Sequence, residues 1–237
     1  MRTPFHVLYL DNHLLIVDKP AGVLTQGDAT GDASLDALAK AYLKRKFDKP
    51  GNVFAAPAHR LDRPVSGVVA IARTSKAASR LAEQFRARSV EKRYVALVDG
   101  RLTGEGTRED WLVKDRKGGQ THVRRSKEGK AGAKRAVLRW RTLSVESRRT
   151  LVEVVPETGR PHQIRVQLAA LGHPIQGDLR YGAERPFTPD RALALHAHAL
   201  ALDHPTQKDR RTFRAPLPKH WPEVPGIPRG GLVPLET

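Results

Sequence analysis

The chain has 237 residues, no cysteine and a formal charge of +17. The missing cysteines exclude zinc–thiolate sites, iron–sulfur clusters and thiol nucleophiles, and no apolar run reaches the roughly 18 residues of a spanning helix. Met1-Arg2-Thr3-Pro4-Phe5-His6 lacks the apolar stretch and small-residue cleavage site of a secretory signal, so a soluble cytoplasmic protein away from membranes is expected.

Residues 7–10 and 14–17 are predicted strands, separated by the turn signal Asp11-Asn12-His13. Lys19-Pro20-Ala21-Gly22 ends the second. Ser34 precedes Leu35, Leu38, Ala39 and Tyr42, whose spacing predicts a capped helix. Residues 53–58 are extended and lead to His59, and 67–72 form a buried strand. The next helix carries Ala78, Leu81, Ala82 and Phe85 on one face. Residues 94–98 are another strand, closed by Asp99-Gly100. The stretch 107–155 is a predicted meander, with 150–155 as its last strand. Pro161 stands where the first turn of a helix tolerates it. Ile164, Leu168 and Leu171 give that helix a buried stripe, and Gly172 ends it. Residues 193–202 alternate like a late strand. The final 23 residues hold six prolines and three glycines, which predicts an extended surface tail over 219–237 behind a domain of 1–218. Many strands with a few helices make the fold class α+β: a mixed, largely antiparallel sheet core with flanking helices.

The positive charge is concentrated. Residues 114–149 carry thirteen lysines and arginines against three acids, a surplus of ten in 36 residues. Such a segment binds nucleic acid by counterion release, although a solvated basic face is the plainer reading. Within it Ala136, Leu138 and Trp140 alternate with Arg135, Arg139 and Arg141. An apolar face and an arginine face suit a sheet presented to a polyanion.

Three clusters carry candidate chemistry. The first is His59-Arg60-Leu61-Asp62-Arg63-Pro64-Val65-Ser66-Gly67. A carboxylate amid cations stays ionised in a partly closed site, and Arg165 is one candidate cation; a salt-bridged surface turn would look the same. The second is Glu91-Lys92-Arg93-Tyr94, where a strand tyrosine offers either core packing or a stacking platform for a displaced base. The third is Arg160-Pro161-His162-Gln163-Ile164-Arg165. His162 and Arg165 are three apart and so are expected to share a helix face, and a helix start favours anions. His196 and His198, with His173, Asp178 and His204, could chelate a metal, but no third ligand has recognised spacing. No metal is therefore expected.

Taken together, these segments resemble the RluA-type pseudouridine synthases. The resemblance also takes in Asp11 to Gly22, Asp178-Leu179-Arg180-Tyr181-Gly182, Leu195-His196-Ala197 and Phe213-Arg214-Ala215-Pro216-Leu217. It implies the pseudouridine synthase catalytic fold and isomerisation of uridine in ribosomal or transfer RNA, by a monomer without cofactors. It makes Asp62 the nucleophile and Tyr94 the residue that stacks on the base and assists proton removal at carbon 5. Arg165 would pair with Asp62, and Arg60 would fill the place of the flipped nucleotide. His59, Arg63, Arg160, His162, Arg135, Arg139 and Arg141 are expected to contact RNA. His196 then reads as structural. Pro64-Val65 stands where many relatives have an acidic residue and a threonine. The small RNA-binding module that precedes the catalytic domain in some relatives is expected to be absent. The alternatives are a non-catalytic RNA-binding or ribosome-assembly protein on the same fold, and a metal-dependent nuclease.

Overall fold

Asp11 sets the first hairpin. Its Oδ1 accepts the backbone N–H groups of His13 at 2.8 Å and Leu14 at 2.7 Å, an Asx arrangement that turns the chain back on itself. Strands β1 (His6–Leu10) and β2 (Leu14–Lys19) therefore pair antiparallel. The computed structural model describes residues 4–115, 120–124, 132–188, 192–223 and 230–233. It divides into two compact units, one of Met1–Lys92, Ala197–Pro218 and Gly230–Thr237, the other of Arg93–His196 and Lys219–Arg229.

In the first unit β2 pairs with β4 (Ser66–Ala72), whose other neighbours are the two-residue β3 (Ala56–Pro57) and β10 (Leu195–Asp203); β11 (Arg210–Arg214) lies beside β10. Helix α1 (Leu35–Lys46) buries Leu35, Ala39 and Leu43, one residue per turn on a single face. Helix α2 (Ser75–Ala87) starts at Thr74, whose side chain accepts the Ala77 N–H at 3.2 Å. Its buried face is centred on Ala77 and Leu81 and packs against Leu14, Ile16, Val68, Ala70 and Leu200. Ala78 and Phe85 border that contact, while Ala82, expected on the same stripe, is exposed.

Gly67 follows the Asp62 loop at φ +121°, and a Cβ there would fall 2.3 Å from the carbonyl oxygen of Ala197. Only glycine permits both the backbone angle and this close approach of β4 to its neighbour.

In the second unit strands β5 (Glu91–Asp99), β9 (Arg149–Pro156), β8 (Lys134–Val145), β6 (Glu105–Lys114) and β7 (Thr121–Arg124) are ordered β5-β9-β8-β6-β7, antiparallel at every pairing. This is not the simple meander expected, because β8 pairs with β6 instead of β7, which is left on the outer side of β6. Helix α3 (Gln163–Ala170) and a 3₁₀ turn (Leu179–Tyr181) complete the unit. The α3 start differs from expectation. His162 is the N-cap residue at φ +55°, so Pro161 lies before the helix rather than in its first turn. The helix is also buried nearly all round, Arg165 and Gln167 included, and Val166 packs against Leu112 of β6 and Ala136 of β8.

Two further expectations meet a different environment. Strand β10 is buried at every residue but Asp203, so it has no solvent face. The proline-rich end is anchored: Trp221 is 2% exposed, with its ring edge-on to Phe187 at 5.9 Å, and Val233 is 1% exposed. Proline forbids regular helix there but does not forbid burial.

Candidate active site

In the first unit the Asp62 loop is a turn held from both ends. The C=O of Asp62 accepts the Val65 N–H at 3.0 Å. Leu61 and Val65 are buried, whereas Asp62 is partly accessible and Arg60 and Arg63 are exposed. Arg63 forms a 2.8 Å ion pair with Asp32, both about half exposed, so part of its charge is already answered.

Beneath the loop lies Lys19, with no exposed surface. Its Nζ donates to the carbonyls of Val23 at 2.8 Å, Pro20 at 3.0 Å and Arg63 at 3.4 Å. Burial pushes its pKa down to about 7, against the opposing pull of the Asp62 and Asp18 charges. This lysine was visible in sequence as the end of a strand and part of the Asp11–Gly22 motif; its burial is a tertiary fact.

His59, expected to touch RNA, is occupied with the protein itself. Its Nε2 accepts the Ala70 N–H at 3.1 Å and its ring stacks on Phe85 with centroids 5.0 Å apart. Burial, then the Lys92 charge, pushes its pKa down to about 3. The ring is thus a neutral prop between the loop and α2, with Nδ1 carrying its proton.

These groups predict a pH signature. Because His59 in the folded chain refuses a proton that the unfolded chain accepts, its contribution is full above about pH 6.5 and lost as pH falls towards about 3. Asp18 acts oppositely: burial pushes its carboxyl up to about 6, so its contribution declines as pH rises from about 4 to 6. Removing the Asp18 titration with Asp18→Asn should make stability, relative to wild type, climb with pH across that window at up to about 1.4 kcal/mol per pH unit. Urea unfolding at pH 4, 5 and 6 measures this; parallel curves for the two proteins would refute it.

Tyr94 and Arg165 belong to the second unit. Tyr94 is partly buried on β5, opposite Val154 of β9. Arg165 meets Asp178 through two bonds, Nε to Oδ2 at 2.7 Å and Nη2 to Oδ1 at 2.8 Å, and both side chains are buried. Its guanidinium also lies 5.1 Å from the Tyr181 ring centroid. The Tyr181 hydroxyl accepts the Thr121 N–H at 3.0 Å and bonds His162 Nδ1 at 2.8 Å. His162 and Arg165 thus converge on Tyr181, though not by sharing a helix face. Asp178, considered above as a metal ligand, instead orients this arginine. His173 bonds the Asp99 carbonyl and His204 bonds Asp11. Among the described residues no group of three or more such side chains could hold a metal ion.

The arginine face of β8 differs from the open cationic stripe expected. Arg135 forms a bidentate pair with Glu109 at 2.7 Å, Arg141 meets the buried Glu153 at 2.9 Å, and Arg139 lies 3.4 Å from Glu157. Glu153 also receives Arg93 at 3.7 Å. The acids come from β6, β9 and the residue after β9, outside the sequence window whose charge was counted. Arg160 donates to the Arg135 carbonyl at 3.0 Å. Residues 116–119 and 125–131 of the basic segment lie outside the described residues.

Residues 13–170 match the family model described as RNA pseudouridylate synthase. The chain belongs to this family. It is 34% identical over 216 residues to the dual-specificity RNA pseudouridine synthase RluA of Haemophilus influenzae, covering 88% of this chain and 91% of that one. It is 32% identical to tRNA pseudouridine synthase C of Pasteurella multocida, covering 93% and 95%. With ribosomal large subunit pseudouridine synthase D of Pseudomonas aeruginosa it shares 35% identity, covering 91% and 69%. Among solved structures, human RNA pseudouridylate synthase domain containing 4 superposes with a TM-score of 0.73 at 25% identity, covering 90% of this chain and 89% of that one. Human RNA pseudouridylate synthase domain containing 1 gives 0.73 at 26%, covering 92% and 85%. The α+β fold and the RluA-type resemblance are thereby borne out, and the protein is a pseudouridine synthase, an isomerase acting on RNA.

Proposed function

We propose that this synthase converts particular uridines of structured ribosomal or transfer RNA to pseudouridine, with Asp62 as the carboxylate that engages the target nucleotide. The observation that carries the assignment is the Asp62 loop: a partly accessible aspartate between buried Leu61 and Val65, with a buried lysine below it. A carboxylate whose backbone is held still can meet a flipped nucleotide without first being ordered.

The bond between N1 and the ribose C1′ breaks, the uracil turns, and a C5–C1′ bond forms. The proton on C5 is lost and N1 gains one, so nothing is oxidised or reduced and no organic cofactor is required. Tyr94 stacks on the displaced base and assists removal of the C5 proton. Arg165, fixed in orientation by Asp178, supplies the positive charge that keeps the reacting carboxylate ionised. Arg60, exposed beside the loop, occupies the place vacated by the flipped nucleotide. Further phosphate contacts come from Arg63, Arg160, His162 and Arg139; Arg139 is the most exposed of the three β8 arginines, at 62% of its side chain. Arg135 and Arg141 act in RNA binding only against the competition of Glu109 and Glu153.

Carbodiimide mapping of pseudouridine in total RNA tests this reading. Cells lacking the protein should lose one or a few sites that return when the wild-type chain is restored. An unchanged map would overturn the assignment of a cellular RNA substrate.

A further inference from the structure

Asp62 is carried by its two neighbours, and both are gripped by the segment that follows β2. Thr25 is 3% exposed. Its hydroxyl donates to the Leu61 carbonyl at 2.8 Å and accepts the Leu61 N–H at 3.1 Å. One side chain thus takes both backbone groups of the residue before the carboxylate. On the other side, the Arg63 carbonyl accepts the Gly22 N–H at 2.8 Å and a Lys19 Nζ proton at 3.4 Å, while Arg63 Nε returns a bond to the Gly22 carbonyl at 3.0 Å. The segment is itself secured, because the Leu35 N–H at the start of α1 donates to the Leu24 carbonyl at 2.7 Å.

Thr25 suits this task chemically. A hydroxyl both donates and accepts, so it can satisfy an N–H and a C=O of one residue at once. Its β-branch restricts χ1 and so limits where the oxygen can go. The Leu61 N–H belongs to the peptide before that residue and its C=O to the peptide after it, so Thr25 restrains both peptide planes flanking Leu61, and the direction of the Asp62 Cα–Cβ bond follows from the φ and ψ of that stretch. Gly22 and Lys19 act only on the far side, so they cannot substitute for this restraint.

We infer that Thr25 is a positioning residue for the isomerisation: its hydroxyl fixes the Leu61–Asp62 backbone and thereby aims the carboxylate. This rests on the reading of Asp62 as the reacting group. Thr25→Val keeps the shape and β-branch but removes the hydroxyl, whereas Thr25→Ser keeps the hydroxyl. Thr25→Ala and Thr25→Ser differ by the hydroxyl alone.

The test measures single-turnover tritium release from C5-labelled RNA, alongside RNA affinity by filter binding. A displacement of about 1 Å at a reacting group costs on the order of 100-fold in rate. Thr25→Val should therefore turn over roughly 10- to 100-fold more slowly, with RNA affinity within about twofold of wild type, and Thr25→Ser should recover to within about threefold. If Thr25→Val does not fold, the serine and alanine pair decides: serine active and alanine slowed supports the inference. Wild-type rates in Thr25→Val or Thr25→Ala would overturn it, as would a serine variant no better than alanine. Asp62→Asn run in parallel separates the two ideas. If Asp62→Asn is inactive while the hydroxyl-free variants are normal, only the positioning role fails. If Asp62→Asn turns over normally, the reading of Asp62 fails and the inference with it.

Discussion

Asp62→Asn should lose pseudouridine formation by on the order of 10⁴-fold or more while RNA affinity stays within about twofold. Asparagine has the same shape but neither the charge nor the nucleophilic oxygen. The substitution leaves the loop's anchors in place, because Thr25, Gly22 and Lys19 hold backbone atoms of Leu61 and Arg63 rather than the Asp62 side chain. One electrostatic consequence does reach the core. The Asp62 charge favours the protonated form of buried Lys19, so its removal lets that lysine's pKa fall further. Tritium release and filter binding on the same RNA give the two quantities. Turnover close to wild type would remove Asp62 from the chemistry. A fall in affinity matching the fall in rate would make it a binding residue instead.

Breaking the Arg165–Asp178 pair should be among the costliest single changes to stability. The side chains are 8% and 1% exposed, and two bonds of 2.7 and 2.8 Å join them. Removing one partner of such a buried pair costs about 3–5 kcal/mol, because the other charge loses its compensation away from water. Asp178→Ala should therefore lower unfolding stability by that amount, and Arg165→Met combined with Asp178→Leu should cost less than the two single changes added together. Urea titration of wild type, Arg165→Met, Asp178→Leu and the double variant supplies the cycle, with Asp178→Ala measured beside them. A loss below about 1 kcal/mol for Asp178→Ala would show that water or another group takes the carboxylate's place. The same variant should also slow catalysis if Arg165 works as proposed, since Asp178 restrains two of its three nitrogens.

Much of the molecule was legible without coordinates. The one-residue-per-turn spacing of Leu35 and Ala39 located α1, which the structure extends to Leu43, and the alternation around Ala136 and Leu138 located β8. These are local properties, written in the period of the chain itself. The motif residues around Asp62, Tyr94 and Arg165 were legible only through the family resemblance, since each alone reads equally well as a salt-bridged turn, a packed tyrosine or a charged face.

What folding alone decided is which side chains meet. Charge counted along residues 114–149 cannot include Glu109, Glu153 and Glu157, which reach Arg135, Arg141 and Arg139 only through sheet register or the turn beyond it. Asp178 lies thirteen residues from Arg165, and Thr25 lies 36 from Leu61. Burial was equally invisible: Lys19 and His59 have ordinary identities in sequence, and desolvation, joined at His59 by the Lys92 charge, moves their proton affinities to about 7 and about 3. The sequence by itself determined the local elements and the family, and with them the candidate reactive groups. The tertiary structure decided which charges are answered, which backbone is held and which side chains stay exposed, because those depend on desolvation and on partners brought together from distant parts of the chain.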